Sequence, residues 1–325
     1  MTEAKMHRDD FRGLLTPRES GESTVYPLDR ANPWTRDVLQ AGRRWPAWAT
    51  LLVAVVFSMT VLLVFKYRGD ALAAAINRIV GGLPTPWPDI LGWGILQTIV
   101  FGLFLVAAMV ATGLEGRRLW RAGAEPPTDL VMGLACGSAG FGAAVLIAYL
   151  AGSVTTGPPA PSPIGALALG GVVVLFQSAA EEAFFRGWLQ PVLGARWGSW
   201  AGLLVTSAAF AALHIIAGAH GVLAVVNLVL GGLLFGLLAL RTGGLLAPAA
   251  AHFAWNWSES GLLGLSPDPS GSLLNLKLGG SPLWSGGLDT MNGSLAATVV
   301  LTALVAGFAI ARTSPHPGKA AQMAP

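Results

Sequence analysis

The stretch "QSAAEEAFFRGW", residues 177–188, places two adjacent carboxylates and a guanidinium directly after a run that carries no charge from residue 164 onward. A helix on the surface of a soluble domain shows one apolar stripe and one polar face. This run is apolar all round and about as long as a bilayer is thick, so its solvent is lipid. A carboxylate near the bilayer centre costs about 2.5–3.5 kcal/mol on insertion scales, and it persists where it is paired or used. Glu181, Glu182 and Arg186 therefore mark both a membrane helix and a place to look for function.

The rest of the chain agrees. Of its 325 residues 53% are hydrophobic and only 11% charged, with a mean hydropathy of +0.60, whereas soluble domains carry about 25% charged residues. Eight apolar segments, roughly 48–65, 90–112, 130–151, 166–189, 201–217, 221–240, 245–264 and 294–311, approach the ~20 residues that a spanning helix needs. The expected fold is an all-α polytopic transmembrane bundle of about eight spans. Gly231, Gly232 and Pro248 interrupt spans six and seven, "ALAAAINRIV" at 71–80 reads as a short interfacial helix, and "GPPAPSP" at 157–163 reads as a rigid loop. Residues 1–47 form a basic tail, 48–164 the first spans, 165–264 a polar-bearing core, and 265–325 a Gly/Ser/Pro-rich loop, the last span and a tail.

With the N-terminus inside, fifteen of the twenty Lys and Arg fall in cytoplasmic segments and four outside, Arg186 being within a span. This asymmetry predicts an N-in, C-in orientation. Trp45, Trp48, Trp87, Trp120, Trp197 and Trp200 lie near span ends, where amphipathic rings sit at headgroup level. The pI near 9.3 reflects these basic segments; no basic stripe has interleaved aromatics, which argues against nucleic acid as a partner. The lone Cys136 offers neither a disulfide nor a zinc cluster and reads as a small buried hydrophobe. The first 47 residues are too long and polar for a cleavable signal peptide, so the first span is expected to be an uncleaved anchor.

Polar residues inside the apolar spans gather late in the chain: Glu181, Glu182, Arg186, His214, His252, Asn256 and Glu259. His7 and His316 lie in the tails, and His220 falls at a turn. Neighbouring helical side chains point about 100° apart, so Glu181 and Glu182 serve different partners. Glu182 and Arg186, at i and i+4 with the acid first, form an ion pair that fixes the helix and leaves Glu181 free. His252 and Asn256 share a face at the same spacing; Glu259, one turn on and near the outer end, reads as solvated. Measured from cytoplasmic helix ends at 1.5 Å per residue, with span four ending at Leu189, Glu181 lies about 12 Å deep, His214 about 20 Å, and His252 and Asn256 about 10 and 17 Å. These depths put one site in a common layer toward the cytoplasmic side.

A carboxylate beside an imidazole, with a second imidazole and an amide opposite, suits hydrolysis of an amide by water. Glu181 would deprotonate the water with His214 as its partner, and His252 and Asn256 would donate to the oxyanion. No embedded Ser–His–Asp set or Cys–His pair points to a covalent route. Glu181, His214 and His252 could instead hold a divalent metal such as zinc, with a water in an open position, although no H-E-x-x-H helix is present.

"EEAFFR", "FAALH" and "HFAWN" fit E-E-x-x-x-R, F-x-x-x-H and H-x-x-x-N, in that order and on separate spans. Over about residues 165–262 the chain resembles the CPBP family, the CAAX proteases and bacteriocin-processing enzymes also called the ABI family. The resemblance implies an intramembrane endopeptidase that cleaves near the C-terminus of lipidated or membrane-associated peptides. It implies Glu181 as the water-activating base, His214 as its partner, His252 and Asn256 at the oxyanion, and Glu182 and Arg186 in support. Either a metal-dependent or a glutamate-type mechanism is compatible with it. The Ala/Gly-rich composition suggests a bacterial source, hence an inner membrane where prenylated CAAX proteins are not expected. A transporter, with ionisable residues at mid-depth and helices broken at Gly231, Gly232 and Pro248, and a non-catalytic immunity or interaction protein are the alternatives from other classes.

Overall fold

The structure, a computed structural model, describes residues 32–41, 45–158 and 162–310. Most of the expected basic tail, the centre of the "GPPAPSP" loop and the C-terminal tail lie outside the described residues. Within them the protein is an all-α polytopic bundle. Its elements are α1 (Pro33–Gln40), α2 (Ala47–Val80), α3 (Trp87–Leu114), α4 (Pro126–Leu150), α5 (Ile164–Glu182), α6 (Gln190–Trp197), α7 (Ser199–Ala217), α8 (Val222–Thr242), α9 (Leu246–Trp257), α10 (Pro282–Ser285) and α11 (Leu295–Ile310). A π-helical stretch, Ala183–Leu189, joins α5 to α6 without a break, and another, Ser258–Leu262, extends α9. Strands β1 (Val154–Thr156) and β2 (Leu276–Leu278) make one short antiparallel pair, with Thr155 opposite Lys277.

Among the described residues, seven helical segments are long and apolar enough to cross a membrane. The remaining predicted span, 245–264, is α9 with its π-helical extension. Three features depart from the sequence reading. The stretch 71–80 is not a separate interfacial helix but the second half of α2, whose 34 residues extend about 51 Å; Gly69 and Asp70 do not interrupt its hydrogen bonding. Span four does not stop at Leu189 but runs on to Trp197. Gly231 and Gly232 do not break α8: Gly232 lets α7 approach, since a Cβ there would lie 2.9 Å from the Ser207 side chain. Pro248 sits in the first turn of α9, where a missing N–H costs nothing.

The bundle has two distinguishable ends. At one, Ala124 N–H donates to the Thr242 carbonyl and Leu245 N–H to that of Arg121, Asp37 of α1 pairs with Arg121, and Asn32 donates to Leu240 O. At the other, Gly279 N–H donates to Ser153 O, Gly157 N–H to Asn275 O, and the Gly221 N–H to the Asp289 carboxylate. Two apolar clusters fill the interior. Phe57, Phe104, Phe184, Phe185, Trp188 and Phe210 interlock edge to face between α2, α3, the π-helical stretch and α7. Phe141, Leu234, Leu238, Ala251, Trp255 and Leu301 join α4, α8, α9 and α11. Small residues set the tightest contact: Cβ atoms added at Gly133 and Gly137 would each fall 2.3 Å from a carbonyl of α9, those of Ala247 and Ala251. Such small-residue seams bring membrane helices to backbone contact, and here the seam fixes the rotation of the helix that carries His252 and Asn256.

Candidate active site

The polar residues meet at the seam between the two clusters, where α5, α7, α8 and α9 converge. The adjacent glutamates close α5 and face different helices, as a 100° offset requires. Glu182 Oε1 accepts from Arg186 Nη1 at 3.0 Å and from His252 Nδ1 at 2.9 Å, with the side chains of both Glu182 and Arg186 wholly buried. Arg186 Nη2 also donates to Gly232 O at 3.0 Å, and its guanidinium lies over the Phe210 ring at 4.8 Å. The predicted Glu182–Arg186 pair is therefore present, and it reaches one residue further than the spacing foretold: it holds His252, whose ring stacks on Phe235 at 4.7 Å.

Glu181 turns toward α7. Its Oε2 lies 4.0 Å from His214 Nε2 and is buried with no hydrogen-bond donor among the described residues. His214 Nδ1 sits 2.8 Å from the Phe210 carbonyl. A carbonyl only accepts, so Nδ1 carries a proton, and in the ring without a second proton Nε2 is an acceptor. In that form two acceptors face each other. On its other side, Glu181 Oε1 accepts from Gln177 Nε2 at 3.3 Å, and Gln177 Oε1 accepts from Gln97 Nε2 of α3 at 3.4 Å. Neither glutamine was among the predicted site residues. Gln177 stands one turn before Glu181, a spacing that could have revealed it; Gln97 is a lone amide in span two with no pattern to flag it.

A cavity of about 460 Å³ lies against this cluster, lined among others by Gln97, Gln177, His214, His252 and Asn256. The side chain of Glu181 is only 6% exposed against 33% for His214, so the carboxylate stands behind the imidazole and Gln177 rather than in the cavity wall. Asn256 is half-buried on the wall, one turn beyond His252. The structure therefore brings Glu181 to His214, and His252 to Glu182, with Asn256 beside them.

Glu259 is not solvated as its position near a helix end suggested. It is buried and accepts from Thr290 Oγ1 at 2.6 Å, Met291 N–H at 3.1 Å and Asn292 Nδ2 at 2.6 Å. Asn292 Oδ1 takes the Trp255 indole N–H at 3.0 Å, and its carbonyl accepts from Asn227 of α8. Glu259 thereby clamps the 287–293 turn over the end of α9, a long-range contact invisible to local spacing.

Because span four continues to Trp197, Glu181 is about 24 Å rather than 12 Å from that end of its helix, and His214 lies in the last turn of α7. The cavity runs from the site to 217–219, 266–268, Asp289 and Asn292, all at the end of the bundle opposite Arg117, Arg118 and Arg121.

The metal reading requires Glu181, His214 and His252 to converge. Among the described residues no group of three or more His, Cys, Asp and Glu side chains is placed to hold a metal ion: His214 faces Glu181, while the Nδ1 of His252 is taken by Glu182. The donor set does not fit, and no step below is routed through a metal.

Residues 163–258, the segment that carries all three motifs, match a family model described as Rce1-like, type II CAAX prenyl endopeptidase Rce1-like. Comparison with curated proteins and with solved structures gives no match.

Proposed function

We propose that this chain is a CAAX-type intramembrane endopeptidase, as the family model matched by its segment 163–258 suggests, and that it hydrolyses a peptide bond with a water activated by Glu181. The observation that carries this is the facing of Glu181 Oε2 and His214 Nε2 across 4.0 Å beside the cavity. Two lone-pair acceptors do not bond each other, but a water donating one hydrogen to each fits that separation. Such a water, held by two acceptors, is polarised for attack. Its oxygen adds to the scissile carbonyl, and its proton passes to Glu181. Asn256 Nδ2 donates to the oxyanion that forms, and His252, held through Nδ1 by Glu182, stands beside it. The tetrahedral intermediate then collapses with cleavage of the C–N bond, and the proton held by Glu181 leaves on the amine.

In this reading the substrate is a segment of a membrane-associated chain, and the natural setting is a bacterial inner membrane. Neither the transporter nor the non-catalytic reading gains support: α8 is unbroken, and the donors and acceptors of hydrolysis are gathered at one cavity. The test is cleavage of fluorescence-quenched peptides by purified protein. Wild type should cleave; Glu181→Ala and His214→Ala should not, and a chelator should leave wild-type activity intact. Equal cleavage by all three proteins would overturn the proposal. Loss of activity on chelation, restored by zinc, would replace Glu181 as sole activator by a metal.

A further inference from the structure

Helices α3 and α5 run parallel and in register along their contact. A Cβ added at Gly165 would lie 3.3 Å from the Trp87 ring, and one at Gly94 would lie 3.3 Å from Val173 Cγ2. Further on, the rings of Phe104 and Phe184 meet edge to face at 5.0 Å, Phe184 lying in the π-helical stretch that continues α5. A polar pair, Gln97 on α3 and Gln177 on α5, faces across this largely apolar seam. The register brings the two together: Gln97 stands three residues after Gly94, and Gln177 four after Val173. Amide side chains between lipid-bathed helices hydrogen-bond across the interface, and these do, Gln97 Nε2 donating to Gln177 Oε1 at 3.4 Å.

The chain of donors continues into the site. Gln177 Nε2 donates to Glu181 Oε1 at 3.3 Å, so the bonds run one way, from α3 to the carboxylate. A primary amide accepts at its oxygen and donates at its nitrogen. With its oxygen engaged by Gln97, Gln177 is set to turn its nitrogen toward Glu181. That bond takes Oε1 and leaves Oε2 as the oxygen that faces His214 Nε2 at 4.0 Å. Both glutamines also line the cavity, so the polar pair lies where the chemistry is placed.

Resting on the endopeptidase reading above, we infer that Gln97 is a positioning residue for the hydrolysis: through Gln177 it fixes which oxygen of Glu181 is presented to the attacking water. Gln97 lies outside the segment 163–258 that matches the family model, so α3 contributes to the reaction from beyond that segment. It touches neither substrate nor water in this role. It acts by orientation, and a displaced base loses rate.

The test compares Gln97→Met, which keeps the length and removes the donor, with Gln177→Ala and with the double variant, in purified full-length protein. Gln97→Met should lower kcat about fivefold with KM unchanged, and should change kcat by less than about twofold in a Gln177→Ala background. Losses that multiply would overturn the inference, because members of one relay do not act independently. A raised KM with wild-type kcat would also overturn it and make Gln97 a substrate contact. Gln97→Asn keeps an amide but stops one methylene short of Gln177, so it should lose as much kcat as Gln97→Met; wild-type kcat there would contradict the relay. A readout without substrate separates positioning from helix pairing. The infrared difference between each protein and the same protein carrying Glu181→Gln isolates the Glu181 carboxyl band. That band should shift in Gln97→Met in the same direction as in Gln177→Ala. A band left in place, or a loss of kcat matched by a fall in the unfolding midpoint in both Gln97 variants, would reduce Gln97 to a contact between helices. No cleavage by wild type, together with a shifted band, would count against the peptidase reading and leave the positioning of Glu181 standing.

Discussion

Two carboxylate–imidazole pairs lie side by side in this bundle, built from adjacent residues of one helix, and they are arranged for different tasks. In the Glu182–His252 pair the contact is 2.9 Å, the acid is wholly buried, and the same oxygen accepts from Arg186. In the Glu181–His214 pair the groups stand 4.0 Å apart, the imidazole is a third exposed to the cavity, and acceptor faces acceptor. The closed pair orients a ring; the open pair has capacity left for a substrate-derived or water proton. Residue type alone does not distinguish them. The partner on the neighbouring helix does.

Changes to each pair should separate the two roles. Glu182→Gln should have the widest effect, because it leaves Arg186 charged and buried without its carboxylate and releases His252. A loss of about 3–5 kcal/mol in stability is expected, read as a large fall in the thermal unfolding midpoint in detergent, together with loss of cleavage. An unchanged midpoint would dissolve the distinction between the pairs. Asn256→Ala should lower kcat by about 10²-fold, as removal of one oxyanion donor does, with the midpoint preserved because the amide lies on a cavity wall. A fall in the midpoint equal to that of Glu182→Gln would make Asn256 structural. Gln177→Ala should cost least, about tenfold in kcat and little in KM, since it frees Glu181 Oε1 without removing the base. A KM effect with unchanged kcat would reassign Gln177 to substrate binding.

The helical bundle was legible in the sequence because lipid imposes a simple rule, about twenty apolar residues per span, and the chain obeys it. Helix ends were less legible. Nothing in "QPVLGARW" marks where lipid stops, because the helix runs on through Pro191, which follows the π-helical stretch inside the continuous segment Ile164–Trp197. Measured from Trp197 instead of Leu189, Glu181 lies about 12 Å further from that end of its helix. Glu181, Glu182, Arg186, His214, His252 and Asn256 could all be found as charges and imidazoles out of place in apolar spans. The pairing of His252 with Glu182 could not, because it depends on how α9 is rotated against α4 through Gly133 and Gly137, a property of backbone contact. The Glu259 clamp escaped for a similar reason: its three donors are more than thirty residues away.

The most direct test of the open pair is the cleavage rate of Glu181→Gln, a substitution that keeps shape and removes the base, in a preparation whose thermal unfolding matches wild type. Loss of a general base predicts a fall of about 10³-fold in kcat/KM with the unfolding midpoint unchanged. Cleavage at the wild-type rate would contradict the assignment of Glu181 as the residue that activates water.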